Sequence, residues 1–135
     1  MTNITAYLTF SGNCAEAMNF YKDCLGGELM LQKVADSPVA DKLPVQMREA
    51  IVHATLMCGN IVLMATDMVA ETGRVKGNAV SLMLNCDSEA EAAEYYKKLS
   101  AGGVATHPPE AFYWGAIFGD LTDRYGVNWL IGLKG

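Results

Sequence analysis

Only two side chains of the chain are imidazoles, His53 and His107, and imidazole is the group best suited to moving a proton near neutral pH. His53 lies in "IVHATLM", where alternation puts it on one face with Thr55 and Met57. Such a histidine suits a general base or a hydrogen-bonding anchor for a ligand, and equally a structural role with a satisfied hydrogen bond. His107 precedes Pro108-Pro109, a pairing that reads as a loop with a solvated imidazole. Asp67, closing "IVLMATD", and Glu110 could join the histidines around a metal ion, but their positions match no recognised ligand spacing.

The cysteines invite a second chemistry. Cys14 and Cys86 fall at or just before expected helix N-termini, where the dipole lowers a thiol pKa. A nucleophilic thiol needs a histidine partner, and neither histidine is placed near them, so small, buried, reduced cysteines are expected. Cys24 and Cys58 complete the set without any C-x-x-C pair, a pattern that fits reduced core cysteines better than a zinc knuckle or a disulfide framework. No glycine-rich loop follows a strand, so no nucleotide-type cofactor is expected.

A softer chemistry is better represented. Phe112-Tyr113-Trp114, Phe118 and Trp129 are spaced so that part of the set packs on a helix. The remainder, Trp114 and Phe118, would line an apolar pocket beside Met57, Met64 and Met83, whose flexible thioethers suit an adaptable site. Thr55, Ser81 and Asn85 would supply the few polar groups that orient a ligand.

The elements that must position these residues recur. "AYLTF" reads as a strand, and "NCAEAMNFYKDCLGG" as a helix with Ala17, Phe20, Tyr21, Cys24 and Leu25 at helical spacing. Asn13 and Glu16 form a capping-box pattern at its start, and Gly26-Gly27 end it. Further on, "AVSLMLNC" and "DSEAEAAEYYKKLSAGG" repeat the design, with Ser88 and Glu91 as the box, Ala92, Tyr95, Tyr96 and Leu99 as the buried face, and Gly102-Gly103 as the stop. The caps lie 75 residues apart and the glycine pairs 76.

Strand-like runs follow each helix. They are "ELMLQKV", "IVHATLM" and "IVLMATD" in the first half, then "GVAT", "WGAIFGDLT" and "VNWLIGL" in the second. The segment Ala35–Glu49 and the linker Met68–Asn78 fall outside the repeat. The organisation is βαβββ–βαβββ, with modules at about 4–67 and 79–135 that pack together as a single α+β domain.

Composition bounds the function classes. A 51% hydrophobic fraction with 19% charge describes a chain with a packed core. The net charge of −5 with scattered Lys and Arg argues against nucleic acid and membrane surfaces as partners. No apolar run approaches the ~18 residues of a membrane span, and no leader-like segment opens the sequence, so the cytoplasm is the default location.

Four segments, "YLTFSGNCAEAMNFYKDCLGGEL", "VHATLMCGNIVLMATD", "VSLMLNCDSEAEAAEYYKKLSAGG" and "YWGAIFGDLTDRYGVNWLI", resemble the PhnB-like branch of the vicinal-oxygen-chelate superfamily. That superfamily includes glyoxalase I, bleomycin-resistance proteins and extradiol dioxygenases, and the branch carries the domain name 3-demethylubiquinone-9 3-methyltransferase. The resemblance implies a cup-shaped mixed sheet whose concave face holds a small-molecule ligand, and a homodimer. It also implies metal-ligand positions on the first and last strand of each half. Here those positions carry Ala6 or Tyr7, Met64, Ser81 and Leu130, a set without a strong ligand for a divalent ion. The expected function is binding of a small, largely apolar molecule without that metal. The alternative is a lyase, oxygenase or isomerase that uses His53 or a displaced metal.

Overall fold

The repeat appears in the computed structural model as two βαβββ units, Met1–Val75 and Lys76–Gly135. Residues 2–68, 77, 79–111 and 116–134 are described, with backbone alone at 110–111, 116–117 and 134. The first unit runs β1 (Ala6–Thr9), α1 (Cys14–Leu25), β2 (Glu28–Lys33), β3 (Ile51–Cys58) and β4 (Ile61–Thr66). The second runs β5 (Leu82–Cys86), α2 (Glu89–Ser100), β6 (Val104–Ala111), β7 (Ala116–Thr122) and β8 (Asn128–Lys134). Three short 3-10 turns occupy 34–47 between β2 and β3.

Each unit forms one four-stranded sheet, ordered β1-β4-β3-β2 and β5-β8-β7-β6. The first strand runs parallel to the last, and the other pairs are antiparallel. A mixed sheet results because the helix crossover returns the chain to the far edge, leaving the neighbour of the first strand to be filled last. This is the α+β arrangement expected of the glyoxalase/bleomycin-resistance-like fold.

Each helix covers one face of its own sheet. Cys14, Ala17, Met18, Tyr21, Cys24 and Leu25 of α1 are buried, as are Ala54, Leu56, Leu63 and Ala65 on the sheet beneath. Phe20, expected on that face, is half-buried. In the second unit Ala92, Tyr96 and Leu99 are buried on α2, with Tyr95 half-buried, over Leu84, Leu121, Trp129 and Ile131. Burying these alternate strand positions leaves their neighbours on the opposite face.

The two helix starts differ in a way the sequence pattern does not show. Ser88 Oγ accepts the Glu91 N–H at 3.1 Å, and the Glu91 carboxylate accepts the Asp87 N–H at 3.3 Å, a working capping box. Asn13 makes no side-chain cap. The donors at the start of α1 go instead to Asp67, buried at the end of β4, whose Oδ1 accepts the Gly12 and Cys14 N–H groups at 2.9 Å. Its Oδ2 accepts the Ile51 N–H at 2.9 Å. The second unit has its own buried carboxylate, Asp123. It closes the β7–β8 turn through the Tyr125 and Val127 N–H groups and takes the Trp129 indole N–H at 2.8 Å.

One strand is longer than the sequence suggests. β6 continues past "GVAT" through His107 and both prolines to Ala111. It is an edge strand, where proline's missing N–H is tolerated, and its register breaks between Val104 and His107 and again between His107 and Glu110. His107 is therefore on a sheet, and the loop expected there is corrected. Among the described residues no helix is long and apolar enough to cross a membrane.

Candidate functional site

Strand register builds the candidate site as two rows, one on the helix-free face of each sheet. In the first sheet Tyr7 pairs with Met64, Met64 with Thr55, and Thr55 with Met30. His53 and Met57 flank Thr55 on the same face, because the buried residues Ala54 and Leu56 between them point at α1. Five residues selected from the sequence, Tyr7, His53, Thr55, Met57 and Met64, are thus brought together. The His53 ring sits between two hydroxyls, with Nε2 3.1 Å from Thr55 Oγ1 and Nδ1 3.5 Å from Tyr7 Oη. The tyrosine and histidine rings lie 6.0 Å apart. No carboxylate touches this imidazole among the described residues, so its surroundings suit a polar anchor better than a proton relay.

In the second sheet Met83 pairs with Leu130, Leu130 with Asp120, and Asp120 with His107. Beside this row Asn85, Gly132 and Phe118 are in register. A Cβ at Gly132 would meet Met83 Cε and lie 3.3 Å from Phe118, so the thioether and the ring converge over a position that must be small. Met83, Asn85, Phe118 and Leu130 therefore share one face, as expected. Ser81 is exposed just ahead of β5 and belongs to no strand. Trp114 lies outside the described residues.

Sequence reasoning missed the pair at the end of this row. His107 Nδ1 lies 2.7 Å from Asp120 Oδ1. The signal was weak, since neither residue belongs to a motif and a bulge sets the pairing. Tyr96 supports it from the helix side, its hydroxyl donating to the Asp120 carbonyl at 3.1 Å. Burial, then the nearby Asp120 charge, raises the Tyr96 pKa, so this phenol stays a donor.

The remaining candidates lose their chemistry to burial. Cys14 is driven from the ordinary 9.0 to about 12, first by desolvation and then by the charge of Asp67. Cys86 is raised by the same first cause, then by Glu91 and Asp87. Both effects oppose the helix-dipole activation considered from sequence, and the two thiols are inert packing groups. Asp67, weighed as a metal ligand, has its two oxygens committed to three backbone N–H groups. Glu110's side chain is outside the described residues.

The metal implied by the fold can be tested against the residues present. Register puts Tyr7, not Ala6, beside Met64, and Met83, rather than Ser81, beside Leu130. A phenol, two thioethers and an alkyl chain do not fit a divalent ion that takes imidazole and carboxylate ligands. Among the described residues no three of His, Cys, Asp and Glu gather as a metal site.

Comparisons with known proteins agree with this architecture. The family model described as 3-demethylubiquinone-9 3-methyltransferase matches residues 2–132. Protein YjdN of Escherichia coli K12 is 29% identical over 139 residues, covering 95% of this chain and 92% of that protein. The crystal structure of PA1353 from Pseudomonas aeruginosa superposes with a TM-score of 0.87 at 36% identity, over 99% of this chain and 98% of the other. A PhnB protein from Bacillus cereus gives a TM-score of 0.73 at 27% identity, over 98% and 99%. A glyoxalase/bleomycin resistance protein/dioxygenase family enzyme from Burkholderia phytofirmans shares the fold, with a TM-score of 0.67 at 12% identity over 96% and 98%. The chain belongs to the 3-demethylubiquinone-9 3-methyltransferase family, a PhnB-like branch on the glyoxalase/bleomycin-resistance-like fold.

Proposed function

We propose that this protein binds a small, largely apolar molecule on a helix-free sheet face and does so without a divalent metal. The observation that carries the reading is apolar side chains left in water there. Tyr7 is 53% exposed, Met30 62%, Met57 57% and Met83 41%. Thioethers and an aromatic ring grouped in register are costly to leave wet, and they adapt to the shape of an apolar ligand. Thr55, His53 and the Tyr7 hydroxyl provide the oriented polar contacts that such a site needs.

In this reading His53 anchors the ligand and transfers no proton. A thermal-shift screen of apolar small molecules, with product analysis on each hit, tests it. His53→Gln should weaken binding by about 0.5–1.5 kcal/mol, the worth of one hydrogen bond, and neither form should turn a hit over. Conversion by the wild type that His53→Gln abolishes would establish the enzyme reading instead. A stoichiometric metal surviving dialysis of untagged protein would overturn the metal-free part.

A further inference from the structure

The geometry points to His107, held by Asp120, as the proton acceptor for a ligand that carries a weakly acidic hydroxyl, a phenol or an enol, on its apolar body. This rests on the binding reading above and names the chemistry at one end of the second sheet's face.

The argument begins with the tautomer. His107 Nδ1 lies 2.7 Å from a carboxylate oxygen that can only accept when ionised, so Nδ1 carries the hydrogen. In the neutral ring the lone pair is then on Nε2, which has no hydrogen-bond partner among the described residues. The His107 side chain is 70% exposed and that of Asp120 41%, so a ligand on this face can reach the free nitrogen. Among the described residues the titratable group facing the ring is Asp120 from β7; Tyr96 of α2 lies on the other side of the sheet, its hydroxyl on the Asp120 carbonyl. The positions facing it from β8 and β5 are Leu130 and Met83, which carry no charge.

Charge decides the ligand class. In the form that can accept a proton, with the imidazole neutral and the carboxylate accepting its Nδ1–H, the pair carries one negative charge, and the chain carries −5. A preformed anion is repelled by both. A neutral hydroxyl ligand supplies its own proton: the O–H bond breaks, the proton goes to Nε2, and the oxyanion faces an imidazolium whose Nδ1–H stays on Asp120. No other bond changes and no co-reactant is needed. The body of the ligand is set by what continues the row. Leu130 stands one strand beyond Asp120, roughly 5 Å away, and Met83 and Phe118 meet over Gly132 alongside. A ring of phenol size placed at His107 would therefore rest on apolar side chains.

The probes are 4-nitrophenol, whose ionised form absorbs in the visible, and nitrobenzene, which lacks the hydroxyl. Wild type should bind 4-nitrophenol saturably with a rise in phenolate absorbance at constant pH, and should bind it about tenfold or more tightly than nitrobenzene. His107→Gln should abolish the rise and remove that preference while leaving nitrobenzene affinity within about twofold. Asp120→Asn, which keeps an acceptor for Nδ1–H but not the charge, should retain binding with a smaller phenolate fraction. Equal affinity for the two probes in the wild type, or an unchanged phenolate signal in His107→Gln, would overturn the assignment and leave the apolar site standing. Failure of wild type to bind either probe at millimolar concentration would count against both. The comparison of the two probes in wild type needs no variant, so a misfolded substitution does not remove the test.

Discussion

The two sheets share a lattice but divide the chemistry differently. Across the first, the row reads Tyr7, Met64, Thr55, Met30, and across the second Met83, Leu130, Asp120, His107. The first two places are a phenol or soft and apolar in both units. The last two are a hydroxyl and a thioether in one unit, and a carboxylate and an imidazole in the other. Each unit has one histidine on this face, yet His53 rests between two hydroxyls while His107 rests on an acid. The same residue type thus meets two different settings, and is proposed above as a ligand anchor in the first and as a proton acceptor in the second.

The largest effects should come from the acids that hold each unit together. Asp67 and Asp123 each accept at least three hydrogen bonds in a buried site, but Asp67 ties α1 to β3 while Asp123 closes the β7–β8 turn and holds Trp129 of β8. Asp67→Ala strands three backbone donors drawn from two distant segments. It should cost about 3–5 kcal/mol by denaturant unfolding. Asp123→Ala should cost about as much, since Asp123 is buried as deeply and also holds the Trp129 indole. Equal and small losses, under about 1 kcal/mol each, would show that neither carboxylate organises its unit.

Gly119 is where the two units diverge in backbone rather than in side chain. A Cβ there would lie 2.6 Å from Pro109 N and 2.8 Å from His107 O, so β6 can approach only because Gly119 has no side chain. The corresponding place in β3, opposite Leu31 of β2, is filled by Ala54 without difficulty. Between the pairs Val104–Thr122 and His107–Asp120, β6 spends one residue more than β7. Without that bulge Thr106 would oppose Asp120, and His107 would be turned to the other side. Gly119→Ala should therefore destabilise by about 1–3 kcal/mol and, more tellingly, weaken the His107–Asp120 contact. The readout is the histidine ring nitrogen shift by NMR, with Ala54→Gly as the counterpart that leaves His53 undisturbed.

This bulge also explains which parts of the molecule could be read from the sequence. The helices, their glycine stops and the pairing of strands into two modules rest on local periodicity and on a repeat of about 76 residues, and all of these were legible. The faces followed from alternation, so Thr55 with His53 and Asn85 with Met83 were placed together correctly. Alternation fails where a strand takes an extra residue. Pro108-Pro109 read as a loop because proline usually ends a strand, and only the edge position of β6 makes it acceptable. Asp67 could not be recognised as the cap of α1 either, since its partners Gly12 and Cys14 are more than fifty residues earlier in the chain.

The smallest expected difference lies at the helix starts, where the sequence pattern is the same and the structure is not. Ser88 and Asn13 are both favourable cap residues, each with a glutamate three positions on. Ser88 accepts the Glu91 N–H, so Ser88→Ala leaves one donor of α2 to water and should cost about 1 kcal/mol. At α1 the corresponding work is done by Asp67, and Asn13 makes no side-chain cap bond. Asn13→Ala should then change stability by no more than about 0.3 kcal/mol, within what solvent-facing substitutions usually do. Urea unfolding of the two single variants measures both values on one scale. A loss at Asn13 matching that at Ser88 would mean that α1 is capped locally after all, and that the buried acid is redundant at that helix end. The Asp67→Ala variant separates the two accounts, because in its background Asn13 would be free to take over the cap. There, Asn13→Ala should cost more than it does in the wild type, and a double-mutant cycle would read that coupling directly.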